Sequence, residues 1–246
     1  MRRRDHCGCR RRTSGLFPRS ESADHRLAGS RKQLDEERSP QILEAVFSPD
    51  SEMQTAAGAS SPQLRPLFGG ALSAVVPDNV TDMSELREIP DNQEVFAHPH
   101  TDQSLIVELL EYQGQVADQD AARYHFEDIA SSNSAREPGA FEVSNVVALP
   151  KDDVSLLECS SAWTLKGTQC VSKFNEEARN TVGIHLGLLR LPQFSTDILI
   201  TFNDPQSITP ESSSASTAQT HRDPWTVDDF RRTLLSLTLH DPGLFG

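Results

Sequence analysis

The sequence predicts an α+β fold: a mostly antiparallel β-sheet flanked by helices in an α/β sandwich. Three observations carry that expectation. Period-2 alternation runs through "AFEVSNVVALP", where Phe141, Val143, Val147 and Leu149 alternate with Glu142 and Ser144. "TVGIHLGLLRLP" and "TDILITFN" are apolar almost throughout, as strands buried on both faces are. Helix-like stretches flank the strand-rich region without regular strand–helix alternation, which disfavours a parallel, doubly wound sheet.

Taken in order, residues 1–64 are rich in Arg, Ser, Glu and Ala and hold one short apolar cluster, "QILEAVF". They are expected to be a disordered extension preceding a domain at 65–246. Six arginines among the first twelve residues form either an import or nucleic-acid patch or an unselected extension, and Met53 is an alternative initiator. From Leu67, "LFGGALSAVVP" suggests a short leading strand or bulge. "HPHTDQSLIVELLEYQG" predicts a helix capped by Thr101 or Asp102, with Leu105, Ile106, Leu109 and Leu110 inward and Gly114 closing it. "RYHFEDI" is expected to be a strand with Tyr124 and Phe126 on one face, and "AWTLKGTQCVSKF" a hairpin turning at Lys166-Gly167. The two most apolar strands follow, interrupted at Pro192. Residues 203–224 are Ser/Thr/Pro-rich and predict a polar surface loop. Thr226 with Asp229 resembles a capping box opening a last helix with Val227, Phe230, Leu234 and Leu237 on its apolar stripe.

The 246 residues carry 23 Lys and Arg against 36 Asp and Glu, a formal net charge of −13. Eleven of those cations and nine of the acids lie in residues 1–52, so the remainder holds the whole excess of negative charge. Such a domain repels phosphate backbones, which excludes nucleic acid as its partner and favours a basic protein surface. No run reaches the ~18 consecutive apolar residues that cross a bilayer, and "MRRRDHCGCRRR" lacks the apolar segment of a secretory signal. The expectation is a soluble intracellular chain. Cys7, Cys9, Cys159 and Cys170 show no C-x-x-C spacing and are expected to be free thiols.

The search for chemistry finds no phosphate-binding glycine loop, no H-E-x-x-H and no G-x-S-x-G. His98 and His100 flank Pro99 but have no third ligand in sequence. No catalytic residue, metal site or cofactor is therefore assigned. The unusual feature is an acidic turn, "ELREIPDNQEVF", which crowds Glu85, Glu88, Asp91 and Glu94 around Pro90-Asp91-Asn92. Its charge would steer a basic partner.

"LFGG", "ELREIPDNQEVFAHPHTDQSLIVELLE", "AARYHFED", "LLRLPQFSTDILITFN" and "SLTLHDP" closely resemble the Ran guanine nucleotide release factor family, in family order from Leu67 to Gly246. The resemblance implies an α/β sandwich similar to PsbP. It implies a non-enzymatic regulator that binds the small GTPase Ran, promotes release of its guanine nucleotide, holds the nucleotide-free form and serves nuclear import. Asp82, Glu85, Asp91 and Glu94 are the Ran-contact residues that it implies. The same resemblance gives a monomer of nucleus and cytoplasm, including the perinuclear region. It also offers an alternative: a non-catalytic trafficking adaptor, including for voltage-gated sodium channels.

Overall fold

The computed structural model describes residues 64–135, 137–172, 179–210, 212 and 223–246. The expected disordered extension, with Cys7, Cys9 and Met53, lies outside them apart from Leu64, as does half of the Ser/Thr-rich loop at 203–224.

The described chain builds two antiparallel sheets and two α-helices. A three-stranded sheet has the order β1 (Leu64–Leu67), β2 (Leu72–Val75), β10 (Thr238–Leu239). A seven-stranded sheet has the order β3 (Thr81–Asp82), β4 (Gln93–Ala97), β5 (Ser104–Glu111), β9 (Thr196–Ser207), β8 (Arg179–Leu191), β7 (Ser161–Ser172), β6 (Phe141–Leu149). Helices α1 (Asp118–Ser132) and α2 (Val227–Ser236) complete it. This is the α+β architecture that the sequence predicts.

Alternation along the central strands sorts side chains into two cores. On one face Ile198, Ile200 and Phe202 of β9 and Leu189 and Leu191 of β8 meet the small sheet and Phe230 and Leu234 of α2. On the other, Leu199 and Ile184, Leu186 and Leu188 meet Ala122, Phe126 and Ala130 of α1. Each of these side chains is buried. Thr226 caps α2: its hydroxyl accepts from the Asp229 N–H, and the Asp229 carboxylate accepts from the Thr226 N–H at 2.7 Å. Val227 is the one member of the predicted stripe that faces solvent.

Three expected elements fold differently. Ser104–Glu111 is a strand, not a helix: Leu105 and Val107 enter the core beneath α2, and Ile106 joins a separate small cluster with Met83, Val95 and Ala97, so the run is buried on both faces between β4 and β9. An apolar run this dense satisfies periods of 2 and 3.6 alike, and β-branched Ile106 and Val107 suit the pleat. Conversely, "RYHFEDI" lies within α1, whose buried Ala121, Ala122, His125, Phe126 and Ala130 recur at helical spacing. Its stripe is mostly alanine, which hides it from a search for large apolar residues. Lys166-Gly167 is no turn but the middle of the twelve-residue β7. A Cβ at Gly167 would lie 2.5 Å from the Phe126 ring and 2.6 Å from the Glu142 carbonyl, so the glycine admits α1, not a reversal. In addition, β9 continues to Ser207, paired with β8, inside the stretch expected to be a loop from 203.

A buried ionic cluster ties α1 to the β8–β9 turn. Arg190 Nε donates to Asp197 at 3.1 Å, Nη2 to the Gln113 carbonyl at 2.7 Å, and Nη1 to the Asp118 carboxylate at 2.6 Å. Asp197 also accepts from His125 Nε2 at 3.0 Å and the Gln113 N–H at 3.2 Å. The guanidinium lies 4.3 Å from the Tyr112 ring centre.

Candidate partner-binding surface

The acidic turn occupies the edge of the large sheet where β3 pairs with β4. After β3 the chain makes a short 3-10 turn, Met83–Glu85, and a loop to β4. Apolar pegs hold it down: Met83 is buried with Val95, Ala97 and Ile106, and Ile89 packs on that cluster. The Gln93 N–H closes the turn onto the Pro90 carbonyl at 2.9 Å. Asn92 is stitched to β5 twice, by its side-chain amide to the Leu109 carbonyl at 3.0 Å and by the Leu109 N–H to its own carbonyl at 2.9 Å. A loop this tethered presents its outward side chains at little entropic cost. Those side chains are Glu85, Leu86, Glu88 and Asp91, all exposed.

The four acids that the family resemblance implies as contact residues, Asp82, Glu85, Asp91 and Glu94, divide into two pairs. Glu85 and Asp91 face solvent. Asp82 and Glu94 instead turn toward the small sheet. Asp82 accepts from the Ser84 N–H at 3.0 Å and hydroxyl at 2.6 Å, and from the Arg65 guanidinium at 2.7 Å. Burial pushes the Asp82 carboxyl up, but the Ser84 bonds and Arg65 outweigh it and hold the group below its ordinary value. Arg65 also lies 4.9 Å from the Phe96 ring centre.

Glu94 is half-buried, and its carboxylate accepts from the Phe68 N–H at 2.6 Å. Burial and the nearby Asp82 charge raise its pKa, against the opposing Phe68 N–H and Arg65. That hydrogen bond matters because of what it restrains. Phe68, Gly69 and Gly70 all have positive φ, at 49°, 65° and 95°. Two glycines adopt this readily; a phenylalanine does so only under constraint. Glu94 supplies the constraint, and the β1–β2 turn is thereby locked beside the acidic loop. The family resemblance implied Glu94 as a contact residue, but the sequence gave no signal for Arg65 or Phe68, which act across 17 and 26 residues of chain.

His98 has a structural use: its Nδ1 accepts from the His100 N–H at 3.1 Å, and its Nε2 donates to the Asp223 carbonyl at 3.2 Å. Among the described residues no three His, Cys, Asp or Glu side chains converge as metal ligands. Cys159 and Cys170 are free thiols.

Residues 65–205 match the family model described as Ran-interacting Mog1 protein. The Ran guanine nucleotide release factor of Danio rerio is 64% identical over 182 residues, covering 74% of this chain and 99% of that one. The nuclear import protein mog1 of Schizosaccharomyces pombe is 38% identical over 145 residues, 56% of this chain and 75% of its own. Among solved structures, the Saccharomyces cerevisiae Ran-binding protein Mog1p superposes with a TM-score of 0.56 at 24% identity, over 76% of this chain and all of that one, a likeness of fold.

Proposed function

The chain belongs to the Ran-interacting Mog1 family, and from that premise we propose that it binds the small GTPase Ran, promotes release of its guanine nucleotide and stabilises the nucleotide-free form. Its setting is nuclear protein import, in nucleus and cytoplasm. The observation that carries this reading is the tethered loop exposing Glu85, Glu88 and Asp91 around Leu86, which is itself 55% exposed. An apolar side chain ringed by carboxylates is a compact protein-binding patch with a preference for basic partners. In this reading Glu85 and Asp91 touch Ran, while Asp82 and Glu94 work at the patch's inner side, holding Arg65 and the Phe68–Gly70 turn in register with it.

The mechanism is thermodynamic and needs no covalent step. A protein that binds empty Ran more tightly than loaded Ran shifts the equilibrium by that difference in affinity. A hundredfold preference corresponds to about 2.7 kcal/mol, within reach of one or two charge-assisted hydrogen bonds. The chain is thus a GTPase regulator, with Ran supplying the nucleotide site.

The test is release of a fluorescent guanine nucleotide from Ran, with the full chain and with Glu85→Ala/Asp91→Ala beside it. The parent is expected to accelerate release, the double variant to lose most of that acceleration while keeping its circular dichroism, and the parent's effect to shrink with salt. No acceleration by the parent refutes the release activity. Undiminished acceleration by the variant removes this loop from the interface.

A further inference from the structure

The two sheets have four edges, and three of them are short: β3 and β10 have two residues each and β1 has four. The fourth is β6, nine residues long and, among the described residues, paired only with β7. A strand of that length with one bare side is a template for a further strand unless something blunts it. A bulge between Val143 and Asn145 interrupts its first half, which leaves residues 145–149 in regular register with β7. The Cys170 N–H donates to the Ala140 carbonyl and the Thr164 hydroxyl to the Val147 carbonyl, so Val147 directs its backbone toward β7. By the alternation of an antiparallel ladder, Val146 and Ala148 then turn their N–H and C=O groups outward.

The side chains decide what kind of strand would fit. Val146 packs on the α1 core, while Val147, on the other face, is 45% exposed. From Val143 to Leu149 the strand carries no charge. Glu142 stands exposed at one end, and Asp152 and Asp153 outnumber Lys151 just past the other, so each end is negative; Lys166, opposite Asn145, lies one strand further in. Ala148 pairs with Trp163, and both line a cavity of about 170 Å³ together with Leu149 and Val154. A residue paired with Ala148 from an added strand would place its side chain on that same face, across a single methyl group from the indole. We propose that β6 is a docking edge for an extended segment of a partner protein, added as an antiparallel strand, with apolar residues opposite Val146 and Ala148 and Lys or Arg at both ends. Ladder hydrogen bonds supply the affinity, and the space over Ala148 and the charged ends select the partner. This edge lies across the seven-stranded sheet from the acidic loop, roughly 29 Å away at ordinary strand spacing, so both surfaces can be occupied together.

The experiment is a ¹H–¹⁵N titration of the full chain with a peptide of alternating Val and Thr that carries a Lys at each end. The backbone amides of Val146 and Ala148 and the Trp163 indole are expected to shift saturably, with a Kd of about 100 μM for so small an interface, while the amides of Glu85 and Asp91 stay in place. The same peptide N-methylated at its valines keeps its side chains and charges but cannot form the ladder, and should bind about tenfold more weakly. Ala148→Pro removes one outward N–H and leaves the β7 ladder alone, as an edge strand allows, so it should weaken binding by a similar factor with circular dichroism unchanged. No response at Val146 and Ala148 overturns the proposal. So does a response confined to the acidic loop, which would show the lysines binding by charge alone. Equal binding of the N-methylated peptide overturns it as well, and that comparison decides the matter on the parent chain even where the proline variant does not fold.

Discussion

Replacing Asp197 by Asn preserves shape and removes one buried charge, and the structure says what that removal should cost. Arg190 and Asp197 are both completely buried, so solvent cannot compensate either one. In the variant the Arg190 guanidinium loses its internal counter-ion. The Asn side chain, with one acceptor and one NH₂, cannot satisfy the Arg190, His125 and Gln113 donors that converge on the two Asp197 oxygens. Breaking a buried pair from one side costs about 3–5 kcal/mol. Asp118 remains within 2.6 Å of Arg190 and softens the loss, although its side chain is 48% exposed and therefore well screened. The expected value is at the low end, about 3 kcal/mol, or a fall in Tm of roughly 6–12 °C for a domain of this size. Asp118→Ala is the internal control and should cost ~1 kcal/mol or less. Urea denaturation of both variants measures the difference. Equal losses in the two variants would refute the reasoning, because the cluster would then behave as a solvated ion pair.

Gly167→Ala should destabilise by about 1–3 kcal/mol in the same assay, since the added methyl meets both the Phe126 ring and the Glu142 carbonyl, and backbone cannot step aside as a flexible side chain can. Burial, with Lys166 nearby, lowers the pKa of His185, and burial with His100 lowers that of His98. Both therefore stabilise the fold above their ordinary value of 6.5 and lose that contribution as pH falls below it. His185→Phe keeps an aromatic ring against Phe202 and Phe230 and should flatten the fall in Tm between about pH 7 and pH 5.5. Glu94 has the opposite sign: its raised pKa gives a contribution present below its ordinary value of 4.5 and lost as pH rises through the folded value. Glu94→Gln keeps an acceptor for the Phe68 N–H, so thermal melts at pH 7 should show stability equal to or above the parent's. Glu94→Ala orphans that N–H and should lose about 1–3 kcal/mol.

The central sheet was legible because its signal is redundant. Residues from Gly183 to Leu191 and from Ile198 to Phe202 bury both faces, and no helix of a domain this small could bury so much all round. The same density made "SLIVELL" ambiguous: period alone cannot separate a doubly buried strand from a buried helix, and only its place between β4 and β9 decides. The α1 segment failed for the reverse reason. Alanine at positions 121, 122 and 130 lets the helix sit close on the sheet but contributes little to an apolar pattern. Gly167 was misread as a turn because a glycine needed for close packing and one needed for reversal look alike in sequence, and here its neighbours Phe126 and Glu142 decide the matter.

Asp82 and Glu94 show why a cluster of acids in sequence is not yet a surface. Along the chain Asp91 and Glu94 look equivalent, three residues apart and equally charged. The β4 register separates them. Residues 93–97 pair with β5, which commits Glu94 to a half-buried position beside the β1–β2 turn, whereas Asp91 precedes the first paired residue and stays in solvent. Two physical roles follow from one acidic run. Exposed carboxylates supply long-range attraction that salt screens, and buried ones supply a fixed hydrogen bond that salt leaves alone. Variation of ionic strength should therefore separate them: loss of Glu85 or Asp91 diminishes the salt dependence of partner association, while loss of the Glu94 acceptor weakens association at every salt concentration by releasing the Phe68 turn. If Glu94→Ala changes only the salt slope, Glu94 acts by charge and the turn it holds is incidental to binding.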